Sequence, residues 1–518
     1  MEQKNKKVIG IVGILVATLL IIGIAGAANA RKIANTVKEK TSSPEEYYRY
    51  VEEKNRDAAL KEMDTSYTSY RDMVTKQENQ QQKVTYQIEL GDTLKALASG
   101  YGIESASIVT TGKSEESVLT NHTALQLNGK DAANINIYMD YSAKEGYIQI
   151  PELSSSYLSL SSTLQEAGGL IPSGNLYMMS GDAGKYLPES KQLQTFITTY
   201  SDIIMKNLDK VERSEETVTA GDVSAECTKL VVSCDEAGMQ KISKEILEKL
   251  KDDQIVKEFI ENIDQSAYTS FQESITDSLE ELETVSTGNG KLEMIVYVDK
   301  DAKIIGRTVT VDDGNGESFG FKMLRPGKGD KSGYLLQISA DGMDYMTLTG
   351  NMEEKSGKMS GDFSLSMDES LNPGDGSILS MTDLVKISVS DLDQKALEKD
   401  GVLKGSMELS SEQITALAGY KLRIEMDNAK DQFNNKIAVL AGSDEFATIQ
   451  VTSEQGEDPG VSRPEEGANV YDLSNEIELA TYTSEMDVIG FLADLKTNCG
   501  VDLTALLGNA FMSNLPAQ

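Results

Sequence analysis

The chain has 518 residues, a formal net charge of −34 and a pI of about 4.5, which argues against nucleic acid as a partner because nucleic acid attracts Lys and Arg. Its single histidine, His122, lies inside a strand-like run, so histidine-based catalytic triads and multi-histidine zinc sites lose their usual groups. We therefore predict a protein without catalytic activity, metal ion or cofactor, in which His122 is a structural or surface residue.

The N-terminal segment is the most specific feature of the sequence. After a lysine-rich stretch, residues 8–30 are apolar and uncharged, and as a helix they are long enough to cross a bilayer core of about 30 Å. Signal peptides have shorter apolar regions, of about 7–15 residues, yet the ending AANA also fits a cleavage site. The lysines predict that residues 1–7 are cytoplasmic and that the chain after Arg31 is extracytoplasmic. We expect a single-pass protein of the cell membrane, or a secreted protein if the segment is cleaved.

Residues 31–235 are predicted to form a first region of helix followed by β-meander. The segment SPEEYYRYVEEKN begins with a capping Ser43, and the helix continues with apolar residues at intervals of three and four: Leu60, Met63, Tyr67, Tyr70 and Val74. In VTYQIEL, apolar and polar residues then alternate as in a half-buried strand. Further strand-like runs follow at the spacing of an antiparallel meander: IESASIVTTG, SVLTNHTALQLNG, NINIYMDYS and GYIQI.

The three cysteines do not suggest a disulfide framework. Cys227 and Cys234 lie in the β-rich run SAECTKLVVSCD, where they are separated by roughly 23 Å along one strand. A disulfide needs Cα atoms within about 7 Å, so these two cannot pair on a continuous strand, whereas either could pair with Cys499. No CxxC metal motif is present. We expect a fold that does not depend on disulfides.

Residues 236–455 repeat the pattern of helix followed by meander. The helical part carries a stripe of Met239, Ile242, Ile246 and Leu250 that continues to Phe259 and Ile263. Hairpins are predicted at Asp299-Lys300-Asp301, at Asp313-Gly314-Asn315-Gly316 and near Gly442-Ser443-Asp444. Residues 456–518 are predicted to be a polar loop followed by a C-terminal helical segment.

No motif in these regions indicates bound metal or nucleotide. VDDGNGES resembles a calcium loop, but counting from Asp313 the sixth position is Ser318 instead of Gly and the twelfth is Leu324 instead of Glu. We therefore interpret it as a hairpin turn. The sequence has neither a Walker motif nor a strand-bound GxGxxG.

The elements together predict an α+β protein. An N-terminal transmembrane helix precedes a large curved antiparallel meander with helices packed on one face, arranged either as two similar domains or as one broad sheet. Stripes of tyrosine and methionine face this sheet. Such stripes form core in most proteins, but they can also leave a gap that accepts an acyl chain.

The anchor, the first helix SPEEYYRYVEEKN, the meanders and the hairpin KLEMIVYVDKDAKIIGRTVTV together resemble the uncharacterised membrane-anchored extracytoplasmic proteins of Gram-positive bacteria. The fold of those proteins is similar in outline to the LolA-like lipoprotein-carrier half-barrel. No functional residue can be carried over from this resemblance. The meander and the tyrosine and methionine stripes predict a membrane-anchored binding module for an apolar or cell-envelope ligand. The alternative is a structural or protein-interaction component of the cell envelope.

Overall fold

The computed structural model describes residues 39–76, 81–115, 117–162, 187–208, 210–263, 267–284, 289–314, 316–400, 402–429 and 432–503. The predicted cytoplasmic tail, residues 1–7, and the predicted membrane segment, residues 8–30, lie outside this part of the chain. Among the helices of the described part, none combines the length and the apolar character needed to cross a membrane.

The structure is α+β with large, mostly antiparallel sheets, as the sequence predicts. The helices are α1 (Pro44–Lys76), α2 (Asp92–Ser99), α3 (Ser190–Asn207), α4 (Glu236–Lys251), α5 (Gln254–Ile263), α6 (Ala267–Thr284), α7 (Gln394–Asp400), α8 (Glu476–Glu485) and α9 (Val488–Asp494). Strands of the N-terminal half are β1 (Gln81–Leu90), β2 (Ala106–Glu115), β3 (Val118–Leu127), β4 (Lys130–Asp140), β5 (Glu145–Gln149), β6 (Tyr157–Ser159), β7 (Lys210–Ala220) and β8 (Val223–Asp235). The remaining strands are β9 (Lys291–Val298), β10 (Ile304–Asp312), β11 (Ser318–Leu324), β12 (Gly327–Lys328), β13 (Lys331–Ala340), β14 (Met343–Lys355), β15 (Lys358–Met367), β16 (Val385–Asp393), β17 (Lys404–Ser410), β18 (Tyr420–Asp427), β19 (Asn434–Ala441), β20 (Asp444–Gln455) and β21 (Val470–Asp472).

The chain divides into two compact units, and each is built from two separate stretches of sequence. Unit 1 comprises Met1–Ser69 and Pro188–Gly419, and unit 2 comprises Tyr70–Leu187 and Tyr420–Gln518. The boundary predicted between residues 235 and 236 therefore falls inside unit 1, where β8 is followed directly by α4.

In unit 1 the strands form an antiparallel meander in the order β7-β8-β9-β10-β11-β13-β14-β15-β16-β17, with the short β12 paired to β13. The predicted turn at Asp299 is confirmed, because β9 and β10 pair on either side of it and the Asp299 N–H donates to the Lys303 carbonyl at 2.9 Å. The predicted hairpin at Asp313 is confirmed by the pairing of β10 with β11.

Helices α1, α3 and α4 pack on strands β7 to β10 and form the core of unit 1. Helix α1 begins with a capping box, in which Ser43 Oγ accepts from the Glu46 N–H at 3.2 Å and the Glu46 carboxylate accepts from the Ser43 N–H at 3.1 Å. The helix then buries Tyr47, Tyr48 and Val51 almost completely. Burial of each large apolar side chain contributes about 1.5–3 kcal/mol, so this first part of α1 is a main source of the stability of unit 1.

Unit 2 is a meander in which two strands that are distant in sequence, β1 and β20, lie side by side. Its order is β18-β19-β20-β1-β2-β3-β4-β5-β6-β21, antiparallel throughout except for the parallel pair β6 and β21. The pairing of β1 with β20 joins the two stretches of chain, from Gln82 opposite Gln455 to Leu90 opposite Ala447. The predicted turn near Gly442 is confirmed by the hairpin of β19 and β20.

An apolar sheet face as the candidate functional site

One face of the unit 2 sheet is apolar across seven neighbouring strands, β18 to β4. Directly paired residues of antiparallel strands point to the same face of a sheet. Two rows of such pairs cross the sheet side by side: Val451, Tyr86, Ile108 and Leu125 in one, and Ile424, Ile437, Ile449 and Ile88 in the other. We define the apolar face of unit 2 by these eight residues together with Ile135 and Ile137 of β4.

Part of the apolar face of unit 2 is open to solvent. Tyr86, Leu125, Ile135 and Ile449 are 38%, 36%, 37% and 36% exposed. With strands about 4.8 Å apart, the face is roughly 29 Å wide from β18 to β4. Exposed apolar residues scattered singly need no explanation, whereas a contiguous exposed apolar surface is typical of sites where another molecule binds.

The opposite face of the same sheet is polar. His122 lies on it in β3, directly between Thr111 of β2 and Asn136 of β4. Its Nδ1 atom is 2.8 Å from Asn136 Oδ1, so a neighbouring strand supplies its hydrogen-bond partner. No second titratable side chain that could work with it as a catalytic pair is bonded to His122 among the described residues.

The predicted polar loop is tied to this polar face. Lys113 of β2 forms an ion pair with Asp458 at 3.2 Å, and Glu145 of β5 forms one with Arg463 at 2.8 Å. The strand register places Lys113 and Glu145 on the same face of the sheet as His122. The loop therefore covers polar side chains and leaves the apolar face of unit 2 without cover from this segment.

The apolar face of unit 2 is covered by other side chains at one corner. Leu127, at the end of β3, packs with Leu495, Cys499 and Val501 in a small buried cluster. This cluster continues the row that contains Ile88, because Ala106 pairs with both Ile88 and Leu127 and also packs against it. The C-terminal part of the described chain thus reaches the apolar face at the corner formed by β2 and β3.

Unit 1 has a comparable apolar row that is better covered. Met323, Leu336, Leu348 and Leu365 follow each other across β11, β13, β14 and β15. All four are partly buried, and none is among the large apolar side chains with high exposure. For this reason the apolar face of unit 2 is the stronger candidate.

A buried ion pair in unit 1 is the most unusual electrostatic feature of the described structure. Arg307 of β10 is 1% exposed and binds Glu52 of α1 through two hydrogen bonds of 2.6 Å, Nη1 to Oε1 and Nη2 to Oε2. Burial alone lowers the pKa of the guanidinium, but the adjacent Glu52 carboxylate outweighs it, so the pKa of Arg307 is raised. The pair is structural, since it lies inside the core that joins helix to sheet.

Sequence analysis missed this pair, although one signal for it was present. In GRTVTVD the residues Arg307, Val309 and Val311 alternate with polar residues, so the strand period places Arg307 on the apolar side. A charged residue at such a position requires a buried partner. The identity of that partner, Glu52, is not encoded locally.

Tyr48 lies beside the ion pair with an unsatisfied hydroxyl. Its side chain is fully buried, and its Oη atom has no hydrogen-bond partner in the described structure. Burial, reinforced by the Glu52 carboxylate, raises the pKa of Tyr48 well above its ordinary value, so the hydroxyl stays protonated. We expect Tyr48→Phe to increase the free energy of unfolding by about 1 kcal/mol, because it removes a buried polar group without leaving a cavity. Urea denaturation of the two proteins measures the difference, and a loss of stability would contradict it.

The other residues singled out from the sequence do not form a site. Cys227 and Cys234 lie on the single strand β8, as predicted, and all three cysteines are buried thiols. Desolvation raises the pKa of the Cys227 thiol to about 11, which keeps it protonated and unreactive. Within the described part of the chain, no group of three His, Cys, Asp or Glu side chains is placed to hold a metal ion.

Comparison with known proteins adds no family to this description. No protein-family model matches the chain, and no curated protein is similar to it.

Proposed function

We propose that the protein is a membrane-anchored extracytoplasmic binding module without catalytic activity, and that it holds an apolar ligand on the apolar face of unit 2. The observation that supports this proposal is the exposure of Tyr86, Leu125, Ile135 and Ile449 on one continuous sheet face. The apolar segment of residues 8–30 supports the location.

The shape and chemistry of the face favour a long aliphatic chain. The exposed side chains are aliphatic except for Tyr86, and the face carries no charged residue among those that define it. Burial of a methylene group contributes about 0.8 kcal/mol, so half-burial of an acyl chain with about fourteen methylenes contributes roughly 5–6 kcal/mol. Part of this energy offsets the loss of translational freedom on binding. The resulting affinity is weak and suits reversible binding.

The charge of the protein restricts the polar end of the ligand. A net charge of −34 repels anions at the surface of the protein. We therefore propose a neutral or zwitterionic headgroup in preference to an anionic one.

A single substitution on the face tests the proposal. The full-length chain is purified gently from membranes, examined for co-purified lipid by native mass spectrometry and titrated with a zwitterionic phospholipid that carries a fluorescent acyl chain. We expect Leu125→Asp to weaken binding of the probe at least tenfold, because a carboxylate in this row must be desolvated under the ligand. Thr111→Asp, on the polar face of the neighbouring strand, serves as the matched control and should bind normally.

Two results would refute the proposal. One is a chain that carries no lipid and does not bind the probe. The other is equal binding by the Leu125→Asp and Thr111→Asp variants, which would place the ligand elsewhere. Specific recovery of an envelope protein in place of lipid would favour the alternative, a protein-interaction component of the cell envelope.

A further inference from the structure

The apolar side of the unit 2 sheet ends in an uncharged polar row. Gln455, Gln82, Gly112 and Asn121 pair directly with one another across β20, β1, β2 and β3, and we call them the carboxamide row. Each lies four residues along its strand from the row that contains Tyr86. Because an even separation along a strand keeps side chains on one face, the carboxamide row shares the face of Tyr86.

A chain of hydrogen bonds leaves the amide nitrogen of Asn121 available. The Thr123 hydroxyl donates to Asn121 Oδ1 at 2.8 Å, and Thr123 Oγ1 is 3.1 Å from Thr110 Oγ1. Since a hydroxyl group has only one hydrogen, Thr110 is the donor in the second bond. The chain thus ends on the oxygen of Asn121, and among the described residues no acceptor bonds its Nδ2 atom.

Gly112 leaves space beside this amide nitrogen. A Cβ atom at Gly112 would lie 3.4 Å from Asn121 Nδ2, so the amide lies next to the position that another residue would fill with its side chain. Gln82, on the other side of Gly112, is half-buried. In the part of the chain that the structure describes, neither Gln82 nor Gln455 forms a side-chain hydrogen bond. Three carboxamide groups with unused donors therefore lie in one row.

These groups match a partner that both donates and accepts hydrogen bonds. A carboxamide has two N–H donors and an acceptor oxygen, and a hydroxyl group likewise has both functions. A choline phosphate group has acceptors but no donor, so it leaves the carboxamide oxygens without a partner. An anionic headgroup finds no Lys or Arg in the row and is repelled by the net charge of −34.

We infer that the ligand of the apolar face of unit 2 is a lipid whose uncharged headgroup carries free hydroxyl groups, as in a glycerol or sugar unit, and that Gln82, Asn121 and Gln455 bind this headgroup. This inference rests on the proposed function, because it assigns the polar end of the same site.

The position of the carboxamide row determines the direction of the ligand. Along β1, Gln82 is followed on the same face by Val84, Tyr86 and Ile88, at distances of about 7, 14 and 20 Å. With the headgroup on the carboxamide row, the acyl chain extends along the strands and covers Tyr86 and Ile88. The ligand therefore lies parallel to the strands, with its polar end at the start of β1.

Three lipids with the same fluorescent acyl chain and different headgroups test the inference on the full-length chain. They are a diacylglycerol, a glucosyl-diacylglycerol and a phosphatidylcholine, of which only the first two have hydroxyl groups in the headgroup. We expect at least one of these two to bind about fivefold more tightly than the phosphatidylcholine, because it makes additional hydrogen bonds to the carboxamide row. The tighter of the two identifies the headgroup as glycerol or sugar.

Asn121→Leu and Gly112→Val remove the headgroup site in two different ways. The first replaces the amide, and the second fills the space beside it with a side chain that suits a strand. We expect each variant to bind the three lipids equally, with the affinity that the unsubstituted chain has for the phosphatidylcholine. Thr120→Leu, on the opposite face of β3, is the matched control and should keep the preference. Circular dichroism verifies that the variants are folded.

The outcomes separate this inference from the proposed function. Equal affinity of the unsubstituted chain for the three lipids overturns the inference and leaves the proposed function intact, because the acyl chain still binds. A preference that neither Asn121→Leu nor Gly112→Val changes also overturns it, since the headgroup then lies elsewhere. Absence of binding of all three lipids overturns the proposed function, and the inference with it.

Discussion

Arg307→Met is expected to lower the free energy of unfolding by about 3–5 kcal/mol. The substitution preserves most of the side-chain volume but leaves the Glu52 carboxylate, which is 6% exposed, without its partner in the core. An uncompensated buried charge is strongly destabilising, because the core replaces neither its hydration nor its two hydrogen bonds. Guanidinium denaturation of the full-length protein, followed by circular dichroism, measures the loss. A decrease below about 1 kcal/mol would show that water reaches the pair.

The double variant Glu52→Leu with Arg307→Met separates the charge effect from packing. We expect it to recover most of the stability lost in Arg307→Met, since replacement of both charges by apolar groups of similar size is often neutral or stabilising. An exposed pair on the surface of unit 1, Lys244 with Glu283 at 2.9 Å, is the control for ion pairs in general. The Lys244→Met variant should unfold at the same denaturant concentration as the unsubstituted protein. Failure of the double variant to recover would indicate that the guanidinium is needed for packing.

Asn55→Ala is expected to cost about 3 kcal/mol, the second largest effect. Asn55 is 2% exposed, and its Nδ2 donates to the Val51 carbonyl at 2.7 Å and to the Ala302 carbonyl at 2.8 Å. Its Oδ1 accepts from the Ile304 N–H at 3.0 Å. Truncation leaves the Ala302 carbonyl and the Ile304 N–H buried without this partner, and each such loss costs about 1–3 kcal/mol.

The control for Asn55→Ala is on the same helix. Glu53 is exposed on α1, and Glu53→Ala should unfold at the same denaturant concentration as the unsubstituted protein. Thermal unfolding provides an independent measurement, and Asn55→Asp tests the same contacts at nearly constant size. Since a carboxylate cannot donate to the Val51 and Ala302 carbonyls, Asn55→Asp should be at least as destabilising as Asn55→Ala. A stable Asn55→Asp variant would contradict the assigned contacts.

The contacts of Glu52 and Asn55 fix helix α1 on the hairpin of β9 and β10. Lys54 adds a third contact from the same turn of the helix, since its Nζ donates to the Asp301 carbonyl at 2.6 Å. We expect these polar contacts to fix the register of the helix on the sheet, because each requires a specific partner. Three polar contacts therefore attach helix α1 to the hairpin of β9 and β10 near the beginning of the described chain.

Local patterns were sufficient for most elements of the fold. The alternation in VTYQIEL predicted β1, and the turn residues around Asp299 and Gly442 predicted two hairpins, because strand period and turn chemistry depend on neighbouring residues. The start of α1 at Ser43 was likewise predicted from its capping residues. The extended helical stripe from Met239 was predicted as one helical region, but the structure divides it into α4, α5 and α6, with Asp253 capping the start of α5.

The candidate site was less accessible from the sequence. Its rows depend on the register of β1 with β20, two strands that are far apart in the chain, and no local signal specifies that pairing. The alternating strands predicted an apolar face, but only the assembled sheet shows that the polar loop covers the other face. Alternation of apolar and polar residues predicts which side chains lie on the apolar face of a strand. It does not predict which part of that face remains exposed to solvent.

Composition and near neighbours were enough to predict the strand and helix periods, the strong negative charge, the single histidine and the apolar segment of residues 8–30. By contrast, the pairing of Arg307 with Glu52, which is 255 residues away, and the construction of each unit from two stretches of chain are visible only in the folded protein. The folded protein also shows which apolar side chains remain exposed on the face of unit 2. Burial and strand pairing depend on contacts between residues that are far apart in the sequence. The register of the paired strands and the entropy cost of closing the loops between them depend on the whole chain.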